Sequence, residues 1–222
     1  MDWSGILIFV HILLLVFWLG TDVGVFVLGK FAQNPAYSVD QRLLLLKVAL
    51  ILDMFPRVCV VLILPTGYQI AVNLGFIPSD HYVTAMVWGF SLVWLGVVLT
   101  GLARHDHRIG VMAKKVEKLI LILLVLILFW VGGASLINGV PVAAPWLAAK
   151  IVMYSLILVF MLSLEKVFLP VVSSFEKLAR GGSSTDLEKQ IRNGMDRTYI
   201  WVLAIYAMVL ASAYLGVLQP EF

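Results

Sequence analysis

Six long apolar stretches, separated by short polar breaks, account for most of this chain. They run over residues 3–29, 43–73, 82–102, 116–137, 146–170 and 198–218. Each is continuously apolar rather than alternating with period two, so the pattern predicts helices and argues against a β-barrel. About 20 apolar residues are needed to cross a bilayer, and every stretch meets that length. The expected fold is therefore all-α, a polytopic membrane bundle of six transmembrane helices. Residues 1–222 form a single integral membrane domain, with no length left for a separate soluble one. The second stretch is too long to cross a core of about 30 Å without tilting or protruding, and Pro56 and Pro65 are expected to kink it.

The polar breaks differ in charge. Lys30, Arg42 and Lys47 mark the first loop region, Arg104, Arg108, Lys114, Lys115 and Lys118 the third, and Lys177, Arg180, Lys189, Arg192 and Arg197 the fifth. Loops 75–81 and 138–145 and both termini carry neither Lys nor Arg. This alternation is the positive-inside pattern, and it predicts cytoplasmic loops 1, 3 and 5 with both termini outside, in a bacterial inner membrane. Asp2 stands where a signal peptide would be basic and no small-residue cleavage site follows, so the first stretch is expected to remain as a span. Trp3, Tyr82, Trp146, Tyr199 and Trp201 fall at span ends, where amphipathic rings favour the headgroup region.

Composition narrows the function classes. The chain is 62% hydrophobic and 13% charged, with a mean hydropathy of +1.01. Its formal charge of +3 reflects the loop bases and implies a lipid bilayer rather than nucleic acid as partner. Cys59 is the only cysteine, which excludes disulfides within the chain and thiolate clusters. Residues 180–186 read as a flexible stretch, and residues 187–197 as an amphipathic lead-in to the last span. The run Val131-Gly-Gly-Ala-Ser135 supplies small residues for close helix packing.

Ionisable groups inside spans are costly, so each needs a reason. His11, Trp18 and Asp22 share one face of the first span, within about 40° at 100° per residue. Asp53 and Arg57 have the i, i+4 spacing of a helical ion pair, and Lys150 and Tyr154 share that spacing in the fifth span. Glu165 lies near the end of that span. Depth sorts these residues into an outer group (His11, Lys150, Gln69 and the loop residue His81) and an inner group (Asp22, Asp53 and Arg57). The inner group reads either as a neutralised ion network that locks helices or as a proton or substrate path. His11 reads either as a histidine bonded to a neighbouring helix or as an axial ligand of haem b. In the second case Lys150 or Arg57 would neutralise a propionate, and His81, Met161 or Met153 would be candidates for a second ligand. His105-Asp-His107 has i, i+2 histidines that do not share a helix face, and a solvated interfacial segment is the plainer reading than copper or zinc binding.

Several of these residues recur in a known arrangement. His11-(six residues)-Trp18-Leu-Gly20 resembles the first helix of the CopD/HemJ-like integral membrane superfamily. Its members include copper-resistance CopD, HemJ-type protoporphyrinogen oxidase and the membrane domain of cytochrome-linked urate hydroxylase. Arg57-(seven residues)-Pro65, followed by Gly67, resembles the second helix of the HemJ type. Trp146-Leu-Ala-Ala-Lys150 resembles the opening of a later helix, and Arg192-Asn193 falls near the loop before the last one. The resemblance touches four of the six spans. It implies haem b on His11, with Trp18 and Lys150 beside it and Arg57 and Lys150 in catalytic roles. Met161 stands where the HemJ type has a second histidine, and Val27 where it has a basic residue. Those departures point to the wider superfamily rather than to protoporphyrinogen oxidase itself.

Three functions follow as expectations. The leading one is a haem b redox or electron-transfer protein working with a quinone, porphyrinogen or cytochrome partner. A copper or small-solute transporter is the first alternative. Soft methionines suit Cu(I), but no M-x-x-M or M-x-x-x-M pair occurs. The second alternative is a non-catalytic structural subunit of a larger membrane complex, and a homo-oligomer is also open.

Overall fold

Pro56 has no N–H to give the carbonyl of Leu52, and the second apolar stretch breaks just ahead of it, at Asp53. The computed structural model, which describes residues 3–104 and 107–220, therefore has seven helices for six crossings. They are α1 (Trp3–Ala32), α2 (Val39–Leu52), α3 (Met54–Asn73), α4 (His81–Ala103), α5 (Arg108–Asn138), α6 (Pro145–Gly181) and α7 (Thr185–Leu218). Pro65 does not interrupt α3. No strand occurs among the described residues. The Asp2 start and the His105-Asp106 part of the third-loop motif lie outside the described residues.

Local chemistry sets the ends. Ser38 and Gln41 form a reciprocal capping box at the start of α2. Asp80 caps α4 by accepting the Val83 amide at 2.9 Å, and Ser184 caps α7. Pro145 occupies the first turn of α6, where a missing N–H costs nothing. Gly139 ends α5 in the left-handed conformation, φ 70°.

Six helices, with α2 and α3 counted as one, are long and apolar enough to cross a membrane, and this is a multi-pass membrane protein. Large apolar side chains such as Phe9, Leu126, Trp130, Ile200 and Val217 face outward, as a lipid-facing surface requires. Consecutive helices are neighbours: α1 packs on α2 and α3, α3 on α4, α4 on α5, α5 on α6, and α6 on α7. The seam between α7 and α1 is slight by comparison. It includes Gly29, where an added Cβ would lie 2.9 Å from Met195 and 3.2 Å from the Tyr199 hydroxyl. The central core gathers Trp18, Val60, Val61, Trp94, Ile157, Leu158 and Ile205.

The helices run past the apolar stretches. At 1.5 Å per residue, α6 is about 55 Å long and α7 about 50 Å, against about 30 Å of hydrocarbon. The excess lies at the end carrying the basic loops, called here the basic side. There α6 and α7 continue as a hairpin. With α2 they bury a second core of Val171, Phe175, Leu178, Leu187, Ile191 and Met195, with Leu43 and Leu46 packed against it. The stretch that reads from sequence as an amphipathic lead-in buries its apolar face in a packed unit. Tyr199, expected among the interfacial rings, is buried in this core against Phe26, with the Lys30 ammonium 3.8 Å above its ring.

Candidate functional site

The bundle carries polar side chains at two depths. At the upper level, towards the termini, the imidazole of His11 (α1) meets the hydroxyl of Thr66 (α3), with Nδ1 2.9 Å from Oγ1. Thr66 is buried, and its single proton is directed to the Leu62 carbonyl at 2.8 Å. The pair is satisfied when His11 donates from Nδ1 to the Thr66 oxygen, which leaves Nε2 as a free acceptor. Gly67 provides the floor: a Cβ there would lie 2.9 Å from His11 Cε1. Lys150 of α6 lies near enough for its charge to bear on His11. Its Nζ rests against Gly216 of α7, where a Cβ would be 2.5 Å away. Among the described residues the half-buried Lys150 ammonium has neither a hydrogen bond nor an ion pair. One turn deeper, Tyr154 donates to the Val60 carbonyl at 2.6 Å, tying α6 to α3 across the bundle.

The other residues expected at this level are dispersed. Gln69 accepts from Trp88 Nε1 at 3.2 Å and donates to Asn73 at 2.9 Å, which engages it with α4 and its own helix. His81 is exposed at the start of α4, with its ring 4.0 Å from that of Tyr82. α4 packs on α3 and α5 rather than on α1, so His81 is not brought to His11. Met161 lies about 16 Å along α6 from Lys150 and packs against the central core. That depth is too great for an atom ligated at His11. Trp18, two turns below His11, is 4% exposed and belongs to the same core. No group of three His, Cys, Asp or Glu side chains able to hold a metal ion occurs among the described residues.

At the lower level Asp53 and Arg57, expected as an i, i+4 pair, meet. Arg57 Nε donates to Asp53 Oδ2 at 2.7 Å. Asp22 is electrostatically coupled to Asp53, Arg57 and Tyr206, and Arg57 in turn to Glu117 and Glu165. Among the described residues the buried Tyr206 hydroxyl has no partner in hydrogen-bond geometry. The Arg57 side chain is 43% exposed and that of Asp53 28%, so this pair is not sealed within the core. Glu117 and Tyr206 were missed in the sequence. Glu117 hides among Lys114, Lys115 and Lys118, and Tyr206 has no signal beyond its place in an apolar span.

A third polar knot lies on the basic side. Arg42 is 1% exposed and makes a bidentate pair with Glu188 at 2.7 and 2.9 Å, while its Nε donates to the Ala32 carbonyl at 2.7 Å. Ser183 adds a hydroxyl donor to Glu188 at 2.6 Å. Glu188 lies in the polar opening of α7, before the apolar stretch. Hydrogen bonding from Arg42, only partly opposed by burial, holds its carboxyl below the usual range. In the sequence Arg42 is indistinguishable from the other loop bases. No family model, curated protein or solved structure matches this chain.

Proposed function

We propose that this chain is a haem b-binding membrane protein with a redox or electron-transfer role, and that His11 would hold the haem iron. One observation carries the reading: an imidazole inside the bundle whose Nδ1 is engaged by Thr66, an arrangement that would orient Nε2 as a ligand. When bound, haem b supplies a one-electron centre. The chain's own contribution is a fixed imidazole orientation, a glycine floor that admits the ring, and an ammonium able to meet a carboxylate. Lys150 suits a propionate better than Arg57, which Asp53 already engages. Of the candidates for a second ligand, His81 and Met161 lie away from His11, and Met153 is on α6 one turn from Lys150. The resemblance to the CopD/HemJ-like superfamily agrees with this assignment, as does a quinone, porphyrinogen or cytochrome as redox partner. The loop bases support the bacterial inner membrane, with loops 1, 3 and 5 cytoplasmic.

A reduced-minus-oxidised visible spectrum tests the proposal. Protein purified from haem-replete cells should show a b-type α-band that is absent in His11→Ala. A colourless wild type would overturn it. A second reading, transport of a small solute or of protons, is favoured by the acids Asp22, Asp53, Glu117 and Glu165 grouped around Arg57. A pH-sensitive dye trapped in proteoliposomes would report a flux abolished by Asp22→Asn, and an unchanged internal pH would reject that reading.

A further inference from the structure

The outer face of the α4–α5 pair carries an open groove of about 450 Å³. It is lined by Val93, Val97 and Thr100 of α4 and by Ile109, Met112 and Val116 of α5. Val93, Ile109, Met112 and Val116 are exposed, so the groove opens on the lipid-facing surface rather than into the bundle. The Thr100 hydroxyl donates to the Gly96 carbonyl at 2.7 Å, which leaves the slot apolar. Gly96 keeps it open, since a Cβ built there meets nothing within 4 Å. Its volume falls within the range of small-molecule sites, about 300–1,000 Å³.

Cations border both walls. On α4, Arg104 continues the row of Val93, Val97 and Thr100 at i, i+4, i+7 and i+11, and its amide closes the last turn on the Thr100 carbonyl at 3.1 Å. On α5, Arg108, Met112 and Lys115 share one row at i, i+4 and i+7, so a groove residue stands between two bases. All three cations are exposed, and none makes an ion pair among the described residues. The acids within residues 104–118 are Asp106 and Glu117, against Arg104, Arg108, Lys114, Lys115 and Lys118. Glu117 lies on the opposite side of α5 from that row, close enough to Arg57 for their charges to interact. Asp106 is in the connecting loop, outside the described residues. An apolar slot edged by cations fits an amphiphile with an anionic head, and basic pockets between spans take such lipids. We propose that this groove is a site for an anionic phospholipid, with an acyl chain along the slot and the phosphate held by Arg104, Arg108 and Lys115. Guanidinium groups meet phosphate through paired N–H donors, and the Lys115 stem can lie along apolar surface while its ammonium reaches the same headgroup. The match between slot and cations is local and holds wherever the bilayer surface lies, and it is independent of the haem reading.

The full chain is placed in nanodiscs of equal parts phosphatidylglycerol and phosphatidylcholine and then moved into mild detergent. The lipid it retains is identified by native mass spectrometry. Wild type is expected to keep phosphatidylglycerol in preference to phosphatidylcholine. Arg104→Gln/Arg108→Gln/Lys115→Gln should lower that retention by about tenfold or more, since each base beside an anionic headgroup adds to binding. Lys177→Gln/Arg180→Gln/Lys189→Gln, an equal loss of charge away from the groove, should not. Gly96→Leu tests the slot without touching a charge: its side chain enters the open space and should exclude the lipid. Gly133→Leu, where a Cβ also meets nothing within 4 Å, should retain it. Excess inorganic phosphate should leave the lipid in place, because the acyl chain holds it as well as the head. Equal retention of the two lipids, an equal loss in both triple variants, undiminished retention by Gly96→Leu, or release by inorganic phosphate would each overturn the proposal. So would a wild-type dimer that Gly96→Leu converts to a monomer, since a second copy would then be the occupant.

Discussion

The Thr66 hydroxyl determines which nitrogen of His11 is free. Replacing it by valine keeps the shape and removes the acceptor, leaving Nδ1–H unsatisfied at a cost of about 1–3 kcal/mol. Thr66→Val should therefore raise the population of the Nε2–H tautomer, read by nitrogen-15 shifts of the imidazole, and should lower haem retention. Gly67→Ala acts on the same ring by contact, since its methyl would sit 2.9 Å from Cε1. The imidazole must rotate off Thr66, so the variant should bind less haem while its helix content is unchanged in circular dichroism. His11, Lys150, Asp22, Asp53 and Arg57 were legible in sequence because a charge in an apolar run announces itself. Thr66 was not, because a hydroxyl within a span is unremarkable until its partner, 55 positions away, is known.

At the level of elements, the spans were legible and the full helices were not. Hydropathy marks where lipid begins, but α6 and α7 continue beyond it because a second core with helical periodicity replaces lipid as their apolar environment. The clamp on that core is sensitive to acid. The folded-state pKa of Glu188 lies below its unfolded value of about 4.3, so the stabilisation is fully present above that pH. It is lost as pH falls through the lowered folded value. Amide exchange within residues 171–195 should therefore rise below about pH 4, and Glu188→Gln should remove this dependence. Leaving Arg42 buried without a carboxylate should also cost about 2–3 kcal/mol of hairpin stability. Within the small-residue run of α5 one position makes the close contact. Gly132 is the tight point, where a Cβ would lie 2.7 Å from Val152 Cγ2 and 3.0 Å from the Ala148 carbonyl oxygen. Gly133 meets nothing within 4 Å. Gly132→Ala should force α5 off α6 and lower stability in detergent unfolding by about 1–3 kcal/mol, whereas Gly133→Ala should be nearly silent.

For the whole molecule, six crossings require loops 1, 3 and 5 to share one side. Single cysteines at Asn34 and Gly181, in a Cys59→Ser chain, should react together with an impermeant maleimide, and a cysteine at Ser79 only from the opposite side. The basic-loop pattern expects Asn34 and Gly181 on the cytoplasmic face. The six apolar stretches made the crossings legible. Which helices close the bundle was not legible, because the contacts that join its two ends carry no local pattern: Arg42 to Glu188 spans 146 positions and Tyr154 to Val60 spans 94.

The slight seam between α1 and α7 bears on biosynthesis. It joins the earliest and latest of the seven helices to leave the ribosome, so it forms after everything else is in the bilayer. Gly216 covers the Lys150 ammonium and Tyr206 faces Asp22, and both belong to α7. Until that helix inserts, a cation and a carboxyl lie open to hydrocarbon on the flank of an otherwise finished bundle. A nascent chain stalled before Thr185 therefore carries its own mark of incompleteness, and membrane proteases that recognise polar groups in lipid should remove it faster than the completed chain.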